Sequence, residues 1–328
     1  MKTNILKKLF VKIIKSFGFE IIDQNQFKSP TLNKELDQQL SNINKSIILP
    51  LGEVKLTRKI SSLLIIFRTN SNIEIWDQNK KRIFEKGKIE YVKRSLNSII
   101  KAIKHLKENY NSIKVDLRIV DDDSTKENLN ILRNILDKSK ENYEIVNHNN
   151  SEHKHVIKEQ KSKHTFSNLS SLLKCFEIGK NNGEDLIYFI EDDYLHFKSS
   201  LDEMIGTYER ISSQINKDLI ICPSDYPYLY MNNEKTNLLI GSKRHWRTIN
   251  KSLCSFMTSK NILNQYWDNF YQNCLDRHDP FEKYLNLIYE KEVCISPVKS
   301  LSIHMTNVNS SYGLSPFINY KALWEENE

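Results

Sequence analysis

An apolar run of strand length, Leu186-Ile187-Tyr188-Phe189-Ile190, ends abruptly in three consecutive carboxylates, Glu191, Asp192 and Asp193. Unbroken apolar character suits a strand covered on both faces, so the run predicts a buried strand of a parallel sheet. The three charges then emerge at its carboxyl end, the edge along which open α/β sheets place their ligands. Like charges packed this tightly repel one another, and a divalent cation relieves that repulsion. For a lone triplet, a strand followed by a plain acidic turn is an equally ordinary reading.

A second acidic cluster changes the balance. Val115-Asp116-Leu117-Arg118-Ile119-Val120 is another short β-branched run, and it ends in Asp121-Asp122-Asp123-Ser124. Two such strand ends side by side form a rim of oxygen ligands suited to Mg²⁺ or Mn²⁺ and to the ribose and base of a nucleotide. Val120-Asp121-Asp122-Asp123-Ser124 resembles the V-D-D-x-S element of GT-A glycosyltransferases, and Glu191-Asp192-Asp193 resembles their DxD motif in an E-D-D form. The seventy positions between Asp122 and Asp192 are also similar to that family's spacing. The resemblance implies an α/β, GT-A type fold: a doubly wound, mainly parallel sheet with helices on both faces and a C-terminal acceptor-binding subdomain.

Composition narrows the alternatives. A chain of 328 residues, 39% of them hydrophobic, buries a sizeable core. None of its eight glycines are spaced as G-x-G, which argues against a Rossmann fingerprint, a Walker A loop and the glycine-rich opening of sugar-phosphate nucleotidyltransferases. The net charge of +7 is spread along a Lys-, Asn- and Ile-rich chain without an Arg-aromatic stripe, so nucleic acid is not the expected partner. Five scattered cysteines with no C-x-x-C pair read as reduced thiols of a cytoplasmic protein. The apolar stretch at 63–67 is far too short to span a bilayer.

Three regions are expected along the chain. Residues 1–48 read as a basic amphipathic helix and a polar linker: Leu6, Leu9, Phe10, Ile13, Ile14 and Phe17 recur at helical spacing among Lys7, Lys8, Lys12 and Lys15. Such a helix either docks on the body or lies on an anionic membrane surface, here the inner face of a bacterial membrane. Residues 58–230 alternate strands (60–67, 115–120, 143–147, 186–190, 219–222) with helices (91–106, 126–139, 167–180, 201–213), the pattern of a parallel sheet and of a nucleotide-sugar-binding core. Gly179 is the expected C-cap of the 167–180 helix, and 148–166, with four histidines, reads as a mobile polar loop. Residues 231–328 form the acceptor-binding and C-terminal part.

The resemblance also implies site residues. Arg68 and Thr69 at the first strand's end join Asp122 and Asp192 as donor-binding residues, although an isolated arginine is more often a surface ion pair. Asp193, with Glu191 and His304, is the implied ligand set for Mn²⁺ or Mg²⁺; a lone histidine such as His304 also serves as a structural hydrogen-bonder. Tyr226 and Tyr228, in a run between prolines, and Trp246 suit a wall that stacks on a sugar acceptor, or else a rigid aromatic turn. Asp279 occupies the position of a catalytic carboxylate, with Asp225 second. Asp279-Pro280 with Glu282 three residues on reads equally as an N-cap and capping box. The expected function is sugar transfer from a nucleotide-sugar donor to a hydroxyl of a glycan or glycolipid in surface polysaccharide or glycolipid assembly. The alternative is a non-catalytic nucleotide- or carbohydrate-binding protein on the same scaffold.

Overall fold

The computed structural model describes residues 5–19, 21, 45–48, 52–72, 82–158, 162–231, 236–305 and 310–328. Two compact units divide the chain, residues 1–56 and 57–328. The first holds α1 (Ile5–Ser16) and an antiparallel hairpin of β1 (Lys45–Ile48) and β2 (Gly52–Lys55). The helix expected from the sequence is therefore present, and it leaves Leu9, Phe10 and Ile13 exposed, with Phe17 and Phe19 just beyond it. The polar linker expected over 23–44 lies outside the described residues.

The second unit runs β3 (Ser62–Thr69), α2 (Lys88–Asn109), β4 (Lys114–Asp121), α3 (Lys126–Ser139), β5 (Tyr143–Asn147), α4 (Lys163–Asn182), β6 (Leu186–Glu191), β7 (Tyr194–His196), α5 (Ser200–Ile215), β8 (Ile220–Ile221), β9 (Leu238–Ile240), β10 (His245–Thr248), β11 (Phe256–Ser259), α6 (Lys260–Gln265), α7 (Trp267–Asn273), α8 (Lys283–Tyr289), β12 (Cys294–Pro297), β13 (Ser302–His304) and α9 (Tyr320–Glu326). Nine of these strands form one sheet in the order β5-β4-β3-β6-β11-β8-β12-β10-β9. The first four are mutually parallel, and across the whole sheet only β10 and β11 run against the rest. The mainly parallel α/β sheet expected from the sequence is what forms.

Alternation along the strands sorts the core into two layers. Leu63, Ile65 and Phe67 of β3 point to one face, where they meet α2, α3 and α5; Leu64 and Ile66 point to the other, with α4, α6, α7 and α8. Ile65, Ile66 and Phe67 are completely buried, and each such side chain contributes about 1.5–3 kcal/mol by leaving water. Helices thus cover both faces, as the doubly wound reading requires. Residues 231–328 do not stand apart, because β9 to β12 complete the same sheet.

Two local expectations fail for identifiable reasons. Helix α4 runs past Gly179 to Asn182, with Gly183 at its cap. Gly179 is instead a point of close approach: a Cβ there would sit 2.8 Å from the Phe189 ring of β6. The supposed mobile loop is partly packed, since His148 and His153 are buried and stacked with centroids 5.5 Å apart. Both rings reach the Ser170 hydroxyl, at 2.8 and 3.0 Å, and His153 also meets Glu177 at 3.1 Å.

Candidate active site

The parallel half of the sheet delivers its strand ends to one edge. Thr69 of β3 is in register with Asp121 of β4, and Arg68 with Glu191 of β6. Asp121, Asp122, Thr69 and Asp192 are all at least 94% buried there. Polar groups so buried need partners, and the partners define the site.

Asp192 is held on both oxygens. Oδ2 accepts from Thr69 Oγ1 at 2.9 Å and from the Asn70 backbone N–H at 3.1 Å, while Oδ1 is ion-paired with the Lys88 ammonium. Burial works against the Lys88 charge, but Asp192 and Asp193 prevail and raise its pKa above the ordinary lysine value. Lys88 is the first residue of α2, where a cation opposes the helix dipole. Its pairing with Asp192 offsets that cost.

Glu191 turns to the other side, toward Arg68 at 2.5 Å. The same guanidinium donates to Asn168 Oδ1 at 2.7 Å, which fixes it against α4. Arg68 is therefore neither a surface residue nor solitary. Asp122 receives Ser167 Oγ at 2.5 Å and Asn150 Nδ2 at 2.9 Å. Beside it, burial raises the pKa of Asp121 despite hydrogen bonds from Ser124, and Asp121 Oδ1 has no partner among the described residues. Asp123 takes a left-handed φ of 68°, which turns the chain away from the strand toward the Thr125 cap of α3.

The third carboxylate meets a histidine from far along the chain. Beyond the triplet, β7 pairs antiparallel with β13, and this small ladder sets His304 opposite Tyr194. His304 Nε2 lies 3.2 Å from Asp193 Oδ2, its Nδ1 lies 3.1 Å from the Tyr312 carbonyl, and its ring stacks on Tyr194 at 4.8 Å. Burial disfavours the imidazolium, yet Asp193, followed by Glu191 and the Tyr312 carbonyl, raises the His304 pKa above the usual histidine value.

Of the three expected metal ligands, then, Asp193 and His304 come together while Glu191 faces Arg68. Among the described residues no group of three His, Cys, Asp or Glu side chains gathers into a metal-holding cluster. A two-ligand arrangement still suits Mg²⁺ or Mn²⁺, which keep waters and take further oxygens from a bound diphosphate.

The expected acceptor wall needs correction. Trp246 is wholly buried, with its indole N–H 3.3 Å from Glu203, and Tyr226 is 1% exposed, sharing a 2.5 Å hydrogen bond with the Tyr194 hydroxyl. Neither ring presents a face to a ligand. Tyr228 is also buried and sends its hydroxyl to the Lys251 carbonyl. Asp225 is 1% exposed, paired with Arg247 and receiving the Tyr230 hydroxyl, both at 2.5 Å. That leaves little room for a role in proton transfer.

Asp279 is exposed in the bend before α8, whose cap position belongs to Glu282, so the capping-box reading does not hold. Glu282 is the more buried of the two carboxylates. Its Oε1 lies 4.0 Å from Cys254 Sγ, and the Cys254 thiol is pushed up by burial and then by Glu282 and Glu191 together. Sequence reasoning missed Lys88, Asn150, Ser167 and the approach of Glu282 to Cys254. Only Lys88 carried a signal, as a cation at the amino end of a helix.

The chain matches no family profile and no curated protein sequence. Its structure is similar to S. aureus TarS 1-349, at 11% identity and a TM-score of 0.42 over 74% of this chain and 59% of that one. It is similar to the galactosyltransferase LgtC with donor and acceptor sugar analogues, at 11% identity and 0.37 over 70% and 72%. A UDP-glucose pyrophosphorylase complexed with UDP-glucose aligns at 11% identity and 0.37 over 75% and 93%. The chain thus spans about three-fifths of the TarS fragment. Scores this low carry no residue roles across.

Proposed function

We propose that the chain is a glycosyltransferase that moves a sugar from a nucleotide-sugar donor to a hydroxyl acceptor, with Mn²⁺ or Mg²⁺ as cofactor. One observation carries this reading: two acidic strand ends meet at one carboxyl edge, with Thr69 of the intervening strand bonded to Asp192. A nucleotide-sugar asks for acceptors toward its ribose and base and for cations toward its diphosphate. Asp122 and Asp192 suit the first demand, and Lys88, Arg68 and a metal ion suit the second.

Asp193 and His304 are the residues that would hold the metal. When bound, the ion neutralises charge on the departing diphosphate without a general acid. Lys88 adds a fixed positive charge beside the same carboxylates. If transfer inverts the anomeric centre, the acceptor hydroxyl must lose its proton to a carboxylate oxygen. Glu282 is the first candidate, supported by its shared neighbourhood with Glu191 around Cys254. Asp279, three positions earlier, is second.

The setting we propose is an anionic membrane surface, with a glycan or glycolipid acceptor. Support comes from α1, where exposed Leu9, Phe10 and Ile13 accompany Lys12 and Lys15. No helix among the described residues is long and apolar enough to cross a membrane. Isothermal titration with nucleoside diphosphates, with and without Mn²⁺, tests the donor site, and donor hydrolysis then separates an enzyme from a binding protein. Absence of binding under both conditions would remove the reading; metal-dependent binding without turnover would leave a non-catalytic binder.

A further inference from the structure

Behind Asp122, the chain leaving β5 makes a short helical turn, Asn150–His153, that lies along α4. Asn150 Nδ2 donates to Asp122 Oδ1 at 2.9 Å and to Ser167 Oγ at 3.1 Å, and Ser167 in turn donates to Asp122 Oδ2 at 2.5 Å. Both carboxylate oxygens are therefore held in place. What keeps the turn on α4 is polar as well: His148 Nε2 and His153 Nδ1 converge on one hydroxyl, Ser170 Oγ, and all three residues are at least 91% buried. Farther out, Lys174 of α4 pairs with Glu152 at 2.7 Å.

One hydroxyl carries one proton, and that decides how the cluster is wired. His153 Nε2 faces the Glu177 carboxylate, so the neutral ring carries its proton there and its Nδ1 accepts from Ser170. Ser170 then accepts from His148 Nε2–H, which leaves His148 Nδ1 bare. That nitrogen is buried and has no partner among the described residues. A second proton on His148 would have to sit there, as a buried charge without an acceptor. Burial is accordingly the largest effect on His148 and lowers its pKa from the usual histidine value; Asp122 at the end of β4 and Glu152 of the turn oppose this, while His153 and Lys174 add to it. Once the turn leaves α4, the ring titrates near 6.5. The packed form is thus fully favoured above about pH 6.5 and loses ground as pH falls below it.

We propose that His148, Ser170 and His153 form an acid-sensitive latch that holds Asn150 and Ser167 on Asp122. These are positioning residues: none of the three touches the ligand. What they position is the carboxylate assigned above to the nucleoside of the donor, and this last step rests on that reading, whereas the latch itself does not.

Hydrogen exchange tests the latch on the full chain. The Glu152, Lys154 and Ile157 amides, each bonded to a carbonyl between Asn149 and His153, should lose about tenfold in protection factor on going from near pH 7.5 to near pH 5.5. His148→Gln keeps an N–H for Ser170 and does not titrate, so its protection should not change between the two. Ligand-observed NMR in chelator, with uridine, cytidine, guanosine and adenosine as probes, tests the consequence. At neutral pH, Ser170→Ala, shown to be folded by its urea transition, should weaken nucleoside binding about tenfold, and His148→Gln should bind as the native chain does. Absence of nucleoside binding to the native chain, with protection behaving as stated, would refute the donor reading and leave the latch standing. Unchanged protection in the native chain near pH 5.5, an equal loss in His148→Gln, or undiminished nucleoside binding in folded Ser170→Ala would overturn the proposal.

Discussion

Replacing His196 by glutamine should make the second unit less sensitive to acid. His196 is 1% exposed in β7, with Nε2 2.6 Å from the Tyr188 hydroxyl. Burial pushes its pKa down to about 3, against a small opposing effect of the Tyr194 carbonyl. In the unfolded chain the same ring titrates near 6.5. Below that pH the unfolded state takes up a proton that the native state refuses until about pH 3, so this contribution is whole above 6.5 and lost as pH falls toward 3. Each pH unit is worth about 1.36 kcal/mol, which makes the loss about 3 kcal/mol near pH 4.5. Glutamine keeps an acceptor for Tyr188 and does not titrate, at a packing cost of about 1–2 kcal/mol near neutral pH. Urea unfolding near pH 7.5, 6 and 4.5 should therefore find the variant weaker at the first, with the gap closing or reversing at the last. A gap that stays constant would mean that His196 ionises freely in the native state, and the burial argument would be wrong.

Three further outcomes are expected. Gly241→Ala would bring a Cβ to 2.2 Å from Trp246 Nε1 and 2.6 Å from Thr207 Oγ1, so its urea midpoint should fall by the equivalent of about 3 kcal/mol. Glu282→Gln should lower kcat roughly a hundredfold with donor binding preserved, whereas Asp279→Asn should leave turnover near normal; the reverse pattern in a transfer assay would return the base to Asp279. Deleting residues 1–19 should spare catalysis on a soluble acceptor but abolish sedimentation with anionic liposomes, and the anchor reading fails if the full chain ignores such liposomes at low salt.

Strands β3 and β6 were legible because each is a contiguous apolar run ended by charge, and β4 because Val115, Leu117 and Ile119 alternate with Asp116 and Arg118 before its acidic end. Helices α2 and α3 were legible for a similar reason, their apolar stripes recurring at 3.6-residue spacing. The ladder of β7 with β13 was not, since strands this short are defined by partners distant in sequence. Partner choice also hid the rest of the site. Nothing local in the sequence says that Arg68 takes Glu191 and leaves Asp192 to Lys88, or that Ser167 and Asn150 close over Asp122. Aromatic residues misled for a different reason. Tyr226 and Trp246 have the composition of a sugar-stacking wall, but rings with a polar tip fill a core equally well when the tip finds Tyr194 or Glu203. Composition cannot distinguish the two uses.

The most direct test of sugar transfer at the acidic strand ends is nucleotide-sugar turnover as a function of Mn²⁺ concentration, in the native chain and in Asp193→Ala. Asp193→Ala also removes the partner of buried His304, so the urea midpoint must show that the variant is folded. The native chain should turn over its donor only with the ion present, and Asp193→Ala should lose on the order of a hundredfold or more at every Mn²⁺ concentration. Metal-dependent turnover of native magnitude in a folded Asp193→Ala protein would contradict the assignment.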